Sequence, residues 1–76
     1  MDNTRYIIMI HNKGYISYKD TEYTGTVKEL VDIHDINRCL KGKKPRQINT
    51  LMKALDDYAK EHSTLYTYIS FNYRLA

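Results

Sequence analysis

Arg38, Lys41, Lys43, Lys44 and Arg46 put five cations into nine residues with no acid among them. The whole chain holds 12 basic and 9 acidic residues, and outside this run the acids outnumber the bases. The formal charge of +3 therefore comes entirely from residues 38–46. So dense a cluster can neutralise phosphates on a nucleic acid, with Gly42 letting a backbone come close. It can equally dock an acidic protein surface. A third reading is a solvated loop whose lysines suit the negative end of a helix dipole.

The other chemistry-bearing residues do not group. His11, His34 and His62 lie on different predicted elements, and His34 with Cys39 lacks the i, i+4 spacing of a helical metal pair. There is no glycine-rich phosphate loop and no nucleophile elbow. Cys39 has cationic neighbours in Arg38 and Lys41 that could lower its pKa, but a lone helical cysteine reads as a small apolar group. Asp56 and Asp57 are adjacent, so their side chains diverge on a helix and cannot share a proton. The expectation is a protein that is not an enzyme, with no catalytic residue, no metal and no cofactor.

The elements follow from periodicity. Arg5 to His11 is β-branched and aromatic, a strand. Asn12-Lys13-Gly14 reads as a three-residue hairpin loop, with glycine supplying a positive φ. Tyr15 to Lys19 is the returning strand, and pairing His11 with Tyr15 sets Ile10 opposite Ile16 and Ile8 opposite Tyr18. Residues 20–25 read as a polar connector. Thr26 and Glu29 have capping-box spacing at a helix start. Val27, Leu30 and Val31 share one side of that helix; Ile33, Ile36 and Leu40 share another, rotated away. A break near Asp32–Asp35 resolves the conflict, with Asp32 or Asp35 capping a second short helix. Gly42 stops the segment, and Pro45 has the character of a first-turn residue of the next helix. Ile48, Leu51, Met52, Leu55, Tyr58 and Ala59 form the stripe of that helix. Leu65 to Tyr73 alternates strictly, a third strand.

The order β-β-α(α)-β predicts an α+β fold, a three-stranded antiparallel sheet with two to three helices on one face. Residues 1–76 make one domain, since a chain this short buries only about 60% of its unfolded surface. No apolar run approaches the roughly 20 residues needed to cross a bilayer, and Met1 to Arg5 has no basic leader region. One cysteine excludes an internal disulfide. The expected location is the cytoplasm, without membrane attachment.

Eight tyrosines, one phenylalanine and no tryptophan are an unusual aromatic set. Tyrosine joins an apolar ring to a polar tip and suits surfaces that exchange water for a partner; biased codon usage gives the same count. If the helices cover Ile8, Ile10, Ile16, Ile69 and Phe71, the other sheet face presents Ile7, Met9, Tyr15, Tyr66 and Tyr68. That set is the predicted partner-binding surface, for a target protein or for a homodimer through this face or a strand edge.

Residues Ile36 to Pro45 resemble the tail of the recognition helix in repressor-type helix-turn-helix domains, which end in an I-x-R-x-L-x-G-K pattern. The resemblance covers about ten residues and implies DNA binding. Leu30 and Ile36 are too close together to hold the turn that such domains place ahead of the reading helix. In general character the chain is also similar to small inhibitors and regulators of phages and mobile elements, anti-host and anti-CRISPR proteins among them. Two functions are thus expected: docking on a target protein, or binding nucleic acid through residues 38–46.

Overall fold

The computed structural model describes residues 3–76; Met1 and Asp2, read above for a leader, lie outside them. Strand β1 spans Tyr6–Lys13, β2 Tyr18–Gly25 and β3 Tyr68–Leu75, with helices α1 Val27–Asp32, α2 His34–Leu40 and α3 Ile48–His62 between β2 and β3. The sheet is antiparallel throughout, in the order β2-β1-β3. The α+β class and the antiparallel sheet are as the sequence predicts.

All three helices pack on one face. Ile8 and Phe71 rise from the sheet into a core completed by Leu30, Ile36, Leu40, Leu51, Met52, Leu55 and Ala59. Each fully buried leucine or isoleucine here contributes about 1.5–3 kcal/mol of transfer free energy, which a domain this small needs from nearly every core position. The α3 stripe is the predicted one, and Tyr58 and Ile48 sit half-buried at its margins.

Local signals at α1 act as the sequence implies. The Thr26 hydroxyl accepts the Glu29 N–H at 3.2 Å and donates to the Glu29 carboxylate at 3.3 Å. Arg5 reaches the same carboxylate at 3.2 Å, tying the start of β1 to the helix. Gly25 is buried beneath it, and a Cβ there would meet Glu29 atoms at 3.1 and 3.2 Å. The break falls where two incompatible apolar sides meet, at Ile33, whose extended backbone ends α1 and starts α2. Neither Asp32 nor Asp35 caps α2: the N-cap is Ile33, with no side-chain bond. Asp35 instead accepts from the Tyr23 hydroxyl, so sheet contact outcompetes local capping.

Further expectations are corrected. The hairpin register is Ile8 opposite Tyr23 and Lys13 opposite Tyr18, a shift of five residues. An odd shift exchanges the faces of the second strand, so Tyr18 goes to the open side and Lys19 to the helix side. The polar stretch Asp20–Gly25 is strand, because an edge strand with one wet face accepts polar residues that also favour β structure, such as Thr21, Tyr23 and Thr24. Gly14 has no positive φ; among the described residues those with positive φ are Lys41 and Gly42, which end α2. Pro45 precedes the α3 N-cap, Gln47, and so lies ahead of the first turn. The third strand begins at Tyr68, with Leu65 and Tyr66 in the turn before it.

Candidate docking surface at the hairpin tips

The corrected register builds the most exposed apolar feature among the described residues. Gly14 and Ser17 close the β1–β2 turn through a 2.8 Å bond from the Gly14 N–H to the Ser17 carbonyl, leaving Tyr15 and Ile16 at its apex. Thr64 and Thr67 close a second turn with bonds of 2.7 and 3.4 Å, leaving Leu65 and Tyr66 at its apex. Both are flanked by small polar residues and both leave the sheet at the Lys13–Tyr68 end, so they lie side by side. The rings of Tyr15 and Tyr66 meet edge to face, 5.7 Å between centroids at 81°. Ile16 is 91% exposed, Leu65 90% and Tyr15 80%. Tyr18 and Tyr68 flank the tips, also exposed.

Helix α3 stops short of this end. Ser63, its C-cap, turns back to the sheet: its hydroxyl accepts the Ile69 N–H at 3.0 Å and donates to the Ile69 carbonyl at 3.4 Å. The tips therefore project past the helical layer of a molecule that measures 42 × 23 × 19 Å. Lys13 and Lys19 border them, and no acid occurs in residues 13–19 or 63–69.

Of the predicted partner-binding residues, Tyr15, Tyr66 and Tyr68 come together here, while Ile7 and Met9 do not. The latter two are half-buried in the middle strand of the open face, flanked by Glu22 on β2 and Arg74 on β3. Those two side chains reach across β1 to pair at 3.4 Å. The open face is more polar than the sequence implies, because the true register brings Tyr18, Asp20, Glu22 and Thr24 to it. Across it runs a chain from the Tyr18 hydroxyl to Asp20, Asp20 to His11 and His11 to Asn72, at 2.9, 2.8 and 3.0 Å. The bond from His11 is the main reason the Asp20 carboxyl is held below its ordinary value; the bond to Asp20 raises Tyr18. Sequence reasoning missed Ile16 and Leu65. Their signal was an apolar pair bracketed by turn-forming residues, Gly14 with Ser17 and Thr64 with Thr67.

The basic run divides. Arg38 lies on α2 near Asp35, while Lys43, Lys44 and Arg46 are exposed on the connector to α3. Lys41 is left-handed at the α2 C-cap, with its ammonium 3.4 Å from Glu61. Lys43 lines the same open groove as Asp57, Lys60 and Glu61. Acids from α3 are thus interleaved with cations that stand alone in the sequence.

A second groove, about 220 Å³, lies between the sheet and α2, lined by Lys19, Tyr23, Asp35, Arg38, Cys39 and Tyr58 among others. Burial pushes the Cys39 thiol up, and Tyr23 is raised by its bond to Asp35. His62, stacked on Tyr58, engages the Tyr58 carbonyl through Nδ1 at 2.9 Å. Among the described residues no three His, Cys, Asp or Glu side chains gather as metal ligands, and no helix is long and apolar enough to cross a membrane. Comparison with family models, curated proteins and solved structures finds no match for this chain.

Proposed function

We propose that the chain is a non-enzymatic binding module that docks on a target protein through its hairpin tips. One observation carries the reading: Ile16 and Leu65, 91% and 90% exposed, stand beside the paired rings of Tyr15 and Tyr66 on two short, hydrogen-bonded turns. Large aliphatic side chains held in water by a hydrogen-bonded turn contribute little to folding and bury apolar area on contact. Tyrosines at the same tips supply contact area at low entropic cost. The fitting partner has an apolar cleft for Ile16 and Leu65, with hydrogen-bond acceptors and acidic residues at its rim to meet the tyrosines, Lys13 and Lys19. An inhibitor or regulator encoded by a phage or mobile element is a role of this kind.

The alternative, nucleic-acid binding through Arg38, Lys41, Lys43, Lys44 and Arg46, draws on the run of charge, but Glu61 pairs with Lys41 and Asp57 shares a groove with Lys43. Affinity capture from nuclease-treated and untreated lysates separates the two. The wild type and a K43Q/K44Q/R46Q variant should retain the same stoichiometric protein, and an I16D/L65D variant should lose it. Retention of nucleic acid instead, abolished by the glutamine variant and untouched by the aspartate variant, sinks the docking proposal.

A further inference from the structure

We infer that the free edge of β3, from Phe71 to Leu75, pairs antiparallel with the same edge of a second copy, giving a six-stranded sheet across a two-fold axis at Tyr73. This contact is independent of the tips and lies elsewhere on the sheet.

Among the described residues, both outer strands leave an edge unpaired. On β3 the direction of each backbone group is fixed by the ladder. The Ala76 N–H donates to the Arg5 carbonyl at 3.0 Å. Bonding pairs alternate along an antiparallel ladder, so Arg74, Asn72, Ser70 and Tyr68 also bond toward β1. Ile69, Phe71, Tyr73 and Leu75 therefore point their N–H and carbonyl groups outward. Ser63 supports the assignment independently, since its hydroxyl satisfies both outward groups of Ile69. That hydroxyl blunts the edge at Ile69 and leaves Phe71, Tyr73 and Leu75 open. Tyr73 is 41% exposed and Leu75 67%.

Charge decides which edge self-associates. On β2 the Gly14–Ser17 bond sets the phase, so the outward groups belong to Tyr18, Asp20, Glu22 and Thr24. Two-fold pairing about the middle of β2 sets Asp20 against Asp20, Asp20 against Glu22, or Glu22 against Glu22. Like charges directly opposite are destabilising, so these registers are disfavoured on β2, and one centred on Tyr23 has only Glu22 and Thr24 to bond with. On β3 the register using all three open residues sets Phe71 opposite Leu75, Tyr73 opposite Tyr73 and Arg74 opposite Asn72. No like charges meet directly, and each Arg74 is already paired with its own Glu22. Sliding one way sets Arg74 against Arg74; sliding the other needs Ile69, already taken by Ser63. A two-fold contact of this kind closes on itself. Five residues of edge bury less than the roughly 1,000 Å² of a stable interface, so the dimer forms in proportion to concentration.

Sedimentation equilibrium from about 10 μM to about 1 mM should show the mean mass rising toward twice the monomer's. In a Cys39→Ser background, Tyr73→Cys should oxidise readily to a covalent dimer, because facing residues of a bonded pair lie about 5.5 Å apart at Cα, within disulfide range. Arg74→Cys, which faces Asn72 in this register, should cross-link at least about tenfold more slowly. Leu75→Pro removes an outward N–H and no bond to β1, so it should weaken association at least about tenfold with an unchanged circular dichroism spectrum. A monomer at every concentration, or equal cross-linking at both positions, overturns the inference. So does an association lost on I16D/L65D. If Leu75→Pro unfolds the chain, the cross-linking pair decides.

Discussion

His11 and Asp20 face each other across β1 and β2 with 2.8 Å between Nδ1 and Oδ1, and Asn72 of β3 holds the opposite ring nitrogen at 3.0 Å. One imidazole therefore ties all three strands together on the helix-free face. The carboxylate can only accept and the Asn72 amide nitrogen can only donate, so the neutral ring carries its proton on Nδ1. Nitrogen-15 spectra of the neutral imidazole should show the Nδ1–H tautomer at His11. Replacing Asn72 with Asp, which accepts from Nε2, should remove that preference.

Tyr23 and Asp35 form the matching contact on the helix side. The bond from Tyr23 is the chief cause of the lowered Asp35 carboxyl, with burial opposing it. A lowered carboxyl stabilises the fold fully above its ordinary value of 3.8, and that stability is lost as pH falls through the lower folded value. Tyr23→Phe should lower the melting temperature at pH 7 and flatten its decline below pH about 4. Thermal melts of both forms across the acid range provide the check.

Leu55 is fully buried between helix and sheet, and its truncation to Ala should cost about 2–5 kcal/mol, enough to unfold much of the population. Ile16→Ala, at the exposed tip, should shift stability by less than about 0.5 kcal/mol. Urea titrations measure both. A large loss from Ile16→Ala would mean that the tip is packed and not presented.

Thr26 accepts the Glu29 N–H at the start of α1, and Thr26→Ala should cost about 1 kcal/mol in urea unfolding while Thr26→Ser costs little.

Gly42 has φ +86°, and a Cβ there would meet no atom within 4 Å, so crowding plays no part in its choice. Gly42→Ala should destabilise by about 1 kcal/mol through backbone strain alone, and Gly42→Asn by less. Chemical denaturation of the two variants distinguishes them.

Element order, most of the core, the helix start at Thr26, a break between Asp32 and Asp35 and the stop at Gly42 were legible in the chain alone, whereas the Ile33 cap and the exposure of Ile16 were not. Apolar periodicity and short-range hydrogen bonds settle the former within a few neighbouring residues. Ile8, Leu30, Ile36, Leu51, Leu55 and Phe71 could be assigned to one interior because each falls on the period of its own element. The candidate site was only partly legible: Tyr15, Tyr66 and Tyr68 were singled out, but beside Ile7 and Met9 and without Ile16 and Leu65. The hairpin register, and with it the residues that stand at the tips, came only with the folded arrangement. Strand β1 is apolar on both faces from Tyr6 to Ile10 and so accepts a partner of either parity, whereas the observed register also depends on Gly14 bonding Ser17, Tyr23 reaching Asp35 and His11 reaching Asp20. The surroundings of the basic run are likewise a product of the fold, since Glu61 approaches Lys41 from a helix twenty residues away in sequence. Charge along a chain is local, but the field it makes depends on what the fold sets beside it.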